Sequence, residues 1–155
     1  MTIRLARICD AEAISTTLRE AFAELESLYT PGGFSATTPS KEQIEARFGE
    51  GPIWVAEFAG KLVGTIAAVR RGTELYIRSM AVLPTARGQG VGTLLLEAIE
   101  TFAAVHQYRR LVLNTTPFLL AAVKLYERHG FRLTGEQSDL FGTPLAAMAK
   151  ELPAP

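Results

Sequence analysis

The chain has 155 residues, 48% of them apolar, which suits one ordinary domain built on a single substantial core. Its 16 lysines and arginines balance 16 aspartates and glutamates with no block of like charge, so nothing marks a nucleic-acid groove or an anionic membrane surface. Cys9 is the one cysteine, and His106 and His129 are the only histidines, which excludes an intramolecular disulfide framework and argues against a closed zinc site. The first residues hold no basic segment leading into an apolar stretch, and no apolar run approaches the roughly 20 residues of a membrane span. The expectation is a soluble, cytoplasmic protein without metal, nucleic-acid or membrane partners.

Residues 2–8 (TIRLARI) alternate like a strand. Asp10 is placed to cap a helix over roughly 11–28, in which Ile14, Leu18, Phe22 and Leu25 keep helical spacing. The stretch YTPGGFSATTP (29–39) reads as a loop, and Ser40 with Gln43 forms a capping-box pattern for a short helix ending near Gly49. IWVAEF (53–58) and KLVGTIAAVR (61–70) form a hairpin across Ala59-Gly60, and ELYIRSMAVL (74–83) supplies a third adjacent strand. Val91, Leu94, Leu95, Ala98, Ile99 and Phe102 then mark a helix of about four turns, followed by a buried strand, RRLVLNTT (109–116). A second helix is expected from a Thr116 cap, with Pro117 at its first position, to a stop at Gly130. FRLTGE (131–136) and PLAAMAKEL (144–152) close the chain as strands, and QSDLFGT (137–143) between them reads as a loop long enough to cover a site.

The stretch RGQGVG (87–92) is the strongest chemical signal. A glycine-rich turn between a strand and a helix exposes consecutive backbone N–H groups, and the helix dipole adds about half a positive charge there. Arg87 adds a full charge at the rim, and Gly88, Gly90 and Gly92 let phosphate oxygens approach the backbone closely. A dinucleotide-binding loop needs GxGxxG, but Thr93 stands where the third glycine should be. A triphosphate-binding loop needs a Gly-Lys pair followed by Ser or Thr, whereas Gly60-Lys61 is followed by Leu62.

What remains is R-x-x-G-x-G directly after a strand ending MAVLP, and a helix reading AVKLYERHGF (122–131) further on. In both motifs, and in the order of elements along nearly the whole chain, the sequence resembles the GNAT superfamily of acetyl-CoA-dependent N-acetyltransferases. The resemblance implies an α/β (α+β) fold: a mixed, mostly antiparallel seven-stranded sheet, splayed between its fourth and fifth strands (here 74–83 and 109–116) and flanked by about four helices. It places acetyl-CoA in the split. The pyrophosphate would lie on the backbone N–H groups of Gln89, Gly90, Val91, Gly92 and Thr93, with Arg87 and Gly88 completing the turn. The pantetheine arm would pair with the backbone of Met80, Ala81 and Val82.

Tyr126 matches the tyrosine that, in many members, protonates the departing thiolate; a core aromatic on an amphipathic helix is the alternative. Glu74 is the candidate for the base that deprotonates the acceptor amine, with Tyr76 or the amine's own ionisation as alternatives and a solvated strand-end charge as the structural reading. Members often carry an asparagine upstream of the tyrosine where this chain has Leu119, and Asn114 is the candidate substitute for cofactor contact. Acceptor specificity in this fold comes from the segments equivalent to 29–39 and 137–143, which hold Tyr29, Phe34, Asp139 and Phe141. By alternation, Arg78 shares a strand face with Glu74 and Tyr76 and could hold a substrate carboxylate. The activity implied is direct acetyl transfer to a primary amine of a small-molecule or amino-acid-like acceptor, by a monomer or homodimer. Acetylation of protein N-termini or lysines, and a catalytically silent acyl-CoA sensor, are the alternatives.

Overall fold

The computed structural model describes residues 1–154. Seven strands form one sheet: β1 (Thr2–Leu5), β2 (Ile53–Phe58), β3 (Lys61–Arg71), β4 (Glu74–Val82), β5 (Arg110–Thr115), β6 (Arg132–Leu140) and β7 (Thr143–Glu151), in the spatial order β1-β2-β3-β4-β5-β7-β6. All neighbours are antiparallel except β4 and β5. Five α-helices accompany it, one more than expected: α1 (Ala11–Phe22), α2 (Pro31–Thr37), α3 (Lys41–Arg47), α4 (Val91–Val105) and α5 (Leu120–Arg128).

The central strands are apolar without a clean alternation because helices cover both faces. Ile53, Val55, Ala67 and Ala81 meet Ile14, Leu18 and Ile44 on the α1/α3 face. Trp54, Ile66, Leu75, Ile77, Leu111 and Leu113 meet Leu95, Leu96 and Ile99 of α4, with Leu125 and Phe131, on the other. Asp10 does begin α1, but its carboxylate makes no cap bond to the helix. It accepts instead from Arg7 N (2.7 Å) and from two nitrogens of Arg4 (2.8 and 3.1 Å), which hold the acid below its usual range and pin β1 to the helix start.

β4 decides where the site lies. Its parallel pairing with β5 runs only from Glu74↔Arg110 to Ile77↔Leu113, after which the two strands separate. At the same point β4 slips against β3: Thr65 faces Ala81 and Ala67 faces Arg78, so the one residue Ile66 opposes both Ser79 and Met80. Ser79 takes φ 53°, a left-handed conformation uncommon for a residue with a Cβ. Such a bulge bends a strand, raises its twist and shifts side-chain parity. Accordingly Leu75 and Ile77 join the α4 core, yet past the bulge it is Met80 and Val82 that pack there, while Ala81 turns to α1.

Five expected boundaries change: β1 stops at Leu5 and α1 at Phe22, beyond which Ala23–Leu28 form a 3-10 helix, and three more lie further along the chain. Residues 29–39 are not a loop, because α2 occupies most of them: Thr30 caps it by accepting from Gly33 N (3.0 Å), and Pro31 opens it. Gly32 and Gly33 are there for space, since a Cβ would lie 2.8 Å from Phe141 Cβ and 2.3 Å from Thr143 Oγ1 respectively. Residues 137–143 are not a loop either. β6 and β7 continue to a tight turn at Phe141-Gly142, both with positive φ, as a two-residue hairpin connection favours. Asp139 serves that turn by accepting from Gly142 N (2.7 Å). Finally, α5 starts at Leu120 and not at Pro117, because residues 116–119 close a turn with Leu119 N donating to Thr116 O.

Thr30 clasps α2 to the β6–β7 turn: its hydroxyl meets Phe141 O (2.7 Å) and Thr143 Oγ1 (3.1 Å), and its N–H donates to Thr143 Oγ1 (3.0 Å). Thr30→Ala removes a helix cap and this tie together, so denaturant unfolding should show a loss of about 1–2 kcal/mol. A loss below a few tenths of a kcal/mol would mean the clasp contributes nothing to stability.

Candidate active site

A cleft of about 490 Å³ opens where β4 and β5 part. Met80, Ala81 and Val82 form one wall; Phe118, Leu119, Leu125 and Tyr126 form the other; the 87–93 turn closes one end and Ala21, Phe22, Glu24 and Leu25 cover the top. Of the expected cofactor contacts, Met80, Ala81, Val82, Arg87, Gly88, Gly90, Val91, Gly92 and Thr93 all line this cleft. Gln89 and Asn114 do not line it.

The glycines of the turn have two different reasons. Gly88 (φ 78°) and Gly90 (φ 80°) hold left-handed conformations with open space where a Cβ would stand, and Gly90 is the residue from which α4 springs. The N-terminus of α4 is therefore turned toward the cleft without side chains in front of it. Gly92 packs closely, as a Cβ there would sit 2.8 Å from Leu125 Cδ2 and that side chain would have to shift. Arg87 is not a free charge on the rim. Its guanidinium is ion-paired with Glu24 and donates to Ala21 O (3.0 Å) and Val82 O (3.3 Å), which makes it a strut between α1, the end of β4 and the turn.

Tyr126 stands on the buried side of α5, 8% exposed. Its placement follows from the end of its helix. Phe131 N donates to Tyr126 O (3.0 Å) and Gly130 N to Glu127 O (3.0 Å), a Schellman ending around Gly130 at φ 93°, and the reversed chain lays the Phe131 ring 5.8 Å from the tyrosine ring. Glu100 then ties the end of α5 to α4 and β7 through His129 Nδ1 and Lys150 Nζ, both at 2.9 Å. Burial, reinforced by nearby Tyr29, pushes the Tyr126 phenol above the usual tyrosine range, so it carries its proton throughout neutral pH.

Glu74 is brought elsewhere. It is the first residue of β4, at the paired end of the strand, where Arg110 Nη1 donates to its carboxylate (3.1 Å), and it does not line the cleft. Tyr76 and Arg78 do share its face; Asn114 Nδ2 donates to the Tyr76 hydroxyl (3.2 Å) beside the point where β4 and β5 separate, and Arg71 lies 4.0 Å over the Tyr76 ring. Tyr29 is buried at 8% exposure in an aromatic cluster with Phe22, Phe34 and Phe118, at ring distances of 6.4, 6.3 and 4.9 Å, so it forms the wall behind the cleft mouth. Phe141 is 72% exposed and borders a second hollow, of about 560 Å³, between α2 and α3.

The acetyltransferase (GNAT) family profile matches residues 19–131, which contain the whole cleft. The chain belongs to the GNAT acetyltransferase family. N-acetylaspartate synthetase of Danio rerio is 40% identical over 88 residues, covering 56% of this chain and 31% of that protein, and N-acetyltransferase 8B of Homo sapiens is 35% identical over 89 residues, covering 54% and 39%. The chain thus matches less than half the length of these relatives. The fold is also that of the PaiA N-acetyltransferase from Thermoplasma acidophilum in complex with coenzyme A (TM-score 0.83, 18% identity, covering 98% of this chain and 100% of that one). It is shared as well by the ribosomal-protein-S18-alanine N-acetyltransferase from Escherichia coli (TM-score 0.80, 20% identity, covering 99% and 95%).

The sequence did not single out Arg47, Glu50 or Ser79. Arg47 lies in the last turn of α3 and donates to Ser79 Oγ (2.8 Å), and Glu50 accepts from Arg78 (2.5 Å). No motif carries them; they meet only because the bulge and the α3 ending come together over β4. In this GNAT fold the 87–93 turn is the element most open to test. Gly90→Val forces a β-branched residue to positive φ at the start of α4 and should abolish coenzyme A binding in calorimetry with an unchanged circular dichroism spectrum. Wild-type affinity in a folded variant would refute an anion-binding role for the turn.

Proposed function

We propose that the protein transfers the acetyl group of acetyl-CoA to a primary amine of a small-molecule or amino-acid-like acceptor, by direct attack with both substrates bound. The observation that carries this reading is the side-chain-free N-terminus of α4 opening on the gap between β4 and β5, with Tyr126 on the opposite wall. The residues fit the cofactor by chemistry. Backbone N–H groups and a helix dipole face one end of the cleft and suit a pyrophosphate, the unpaired edge of β4 over 78–82 offers backbone groups to an extended amide-bearing arm, and Leu125, Phe118 and Val82 give apolar walls. The names of the relatives support the same transfer chemistry.

Acetyl-CoA supplies an acyl group activated as a thioester. The chain's own part is to hold the reacting carbon against the bulge of β4, exclude water with the Tyr29 cluster, and manage two protons. The C–N bond forms as the C–S bond breaks; the amine loses one proton and the sulfur gains one. Tyr126, kept protonated by burial, is the donor to the sulfur. Its raised pKa makes it a weak acid, which limits the benefit unless the same dry cleft raises the proton affinity of the sulfur. For the amine, Glu74 is replaced in this reading by the acceptor's own ionisation, with Tyr76, near the gap, as the nearest phenol.

Replacing Tyr126 with Phe keeps the ring against Phe131 and removes the hydroxyl, so coenzyme A affinity should hold while kcat falls by about 10²-fold, the low end for general acids. Glu74→Gln, which removes a part-buried ion pair with Arg110 outside the cleft, should leave kcat within a few-fold. A Tyr126→Phe protein with full kcat in chemistry-limited single turnovers would reduce the residue to packing, and a collapse of kcat in Glu74→Gln would restore Glu74 as the base.

A further inference from the structure

On the α3 side of β4, two guanidinium groups lie near one carboxylate, and only one of them is paired with it. Arg78 Nη2 donates to Glu50 Oε2 (2.5 Å), while its buried Nε has no hydrogen-bond partner among the described residues. Arg47 reaches the same spot from the end of α3, and its side-chain hydrogen bond is to the neutral hydroxyl of Ser79 (2.8 Å). Burial and the neighbouring Arg78 cation bring Arg47 down to about 10, against a smaller opposing pull from Glu50 and Tyr76. Arg47 is therefore still charged at neutral pH, and because Glu50 is ion-paired with Arg78, the cluster holds one guanidinium that no carboxylate among the described residues pairs. Arginine brings five donors to a site, and of Arg47's only Nη1 is engaged by another side chain, the rest being open to the hollow and to solvent. A cation half-buried beside another cation destabilises a fold unless an anion completes it.

The position of the cluster gives that anion a use. Arg78 is the first β4 residue past the last pair with β5, and Met80, on the wall of the cofactor cleft, follows two residues later, roughly 7 Å along the strand. The bulge at Ser79 sends Arg78 to the α3 face and Met80 to the α4 face. The ladder between β4 and β5 ends at Ile77, one residue before Arg78, so no strand among the described residues pairs with this edge of β4 beside the cluster. Arg47 and Glu50 also line the hollow of about 560 Å³ between α2, α3 and Phe141, which leads to the cluster from solvent.

We propose that Arg47 and Arg78 together hold a carboxylate of the acceptor, so that the amines acetylated here belong to carboxylate-bearing compounds such as α-amino acids. This rests on the acetyl-transfer reading above. Arg78 alone could pair with Glu50 as a structural bridge; it is the second guanidinium, with no carboxylate of its own, that requires an anionic guest. A carboxylate accepting from both would be held bidentately, with the amine extending through the gap toward the reacting carbon.

The experiment is an acetyl-transfer assay with the L-α-amino acids beside their α-carboxamides, which differ only in the anion. At least one acid should exceed its amide by about tenfold or more in kcat/KM, and Arg47→Gln or Arg78→Gln should raise the KM for that acid about 10- to 100-fold with the acetyl-CoA KM unchanged. Arg47→Lys should recover part of the loss, and the pair Arg78→Gln with Glu50→Gln, which leaves no stranded charge, should remain as defective as Arg78→Gln alone. Equal use of acids and amides by the wild type, or unchanged acid KM in folded Arg47→Gln, would overturn the proposal. If no amine is acetylated although coenzyme A binds, the acetyl-transfer reading fails, and equilibrium dialysis of the same radiolabelled amino acids then reads the anion site alone. Retention by the wild type but not by Arg47→Gln supports it, and equal retention, or none, overturns it.

Discussion

The structure depends on a single interruption in hydrogen bonding, the end of the β4–β5 ladder after Ile77 and Leu113. Parallel strands covered on both faces rarely stop pairing in mid-sheet, because each unpaired backbone group in an apolar setting costs as much as a lost hydrogen bond. Here the extra residue at Ser79 bends β4 out of line, while β5 keeps its antiparallel partner β7 on its other edge from Arg110 to Thr115. The result is a strand edge with free backbone groups inside the protein and not at its rim.

Every other feature of the site serves that opening. The bulge changes which residues face which helices, so apolar Met80 and Val82 line the cofactor side while Arg78 stays with α3. The glycines at 88 and 90 turn the chain sharply enough for α4 to begin at the mouth of the gap, with Arg87 bracing the turn to α1. The Schellman ending of α5 folds Phe131 back beneath Tyr126 and sets the phenol on the far wall. The glycine turn and the α5 ending are separate local solutions, each legible as a short motif because it is specified by a few neighbouring residues, whereas the bulge has no such signature.

That explains what could be read from the sequence and what could not. Strands β2 to β5 and helix α4 show themselves by apolar runs and periodicity, and the 87–93 turn by its glycines, of which Gly88 and Gly90 hold left-handed conformations. Helix α2 carries its Thr30 cap and Pro31 openly, but Gly32 and Gly33 make it look like a loop; their small size answers to Phe141 and Thr143, far off in the chain. β6 is exposed along nearly its whole length and so lacks the alternation that would extend it past residue 136. Glu74 is a candidate base only through the family resemblance, whereas Arg110 holds it at the paired end of β4. Arg47 had no signal at all, because its role depends on where α3 ends over the bulge.

The most direct measurement is amide hydrogen exchange with and without coenzyme A. If the opened sheet and the α4 N-terminus hold the cofactor, added coenzyme A should slow exchange in residues 78–82 and 88–93 and leave the paired half of β4, residues 74–77, as it was. Binding that protects neither segment, or protects only the hollow bordered by Phe141, would contradict the placement of the cofactor between β4 and β5.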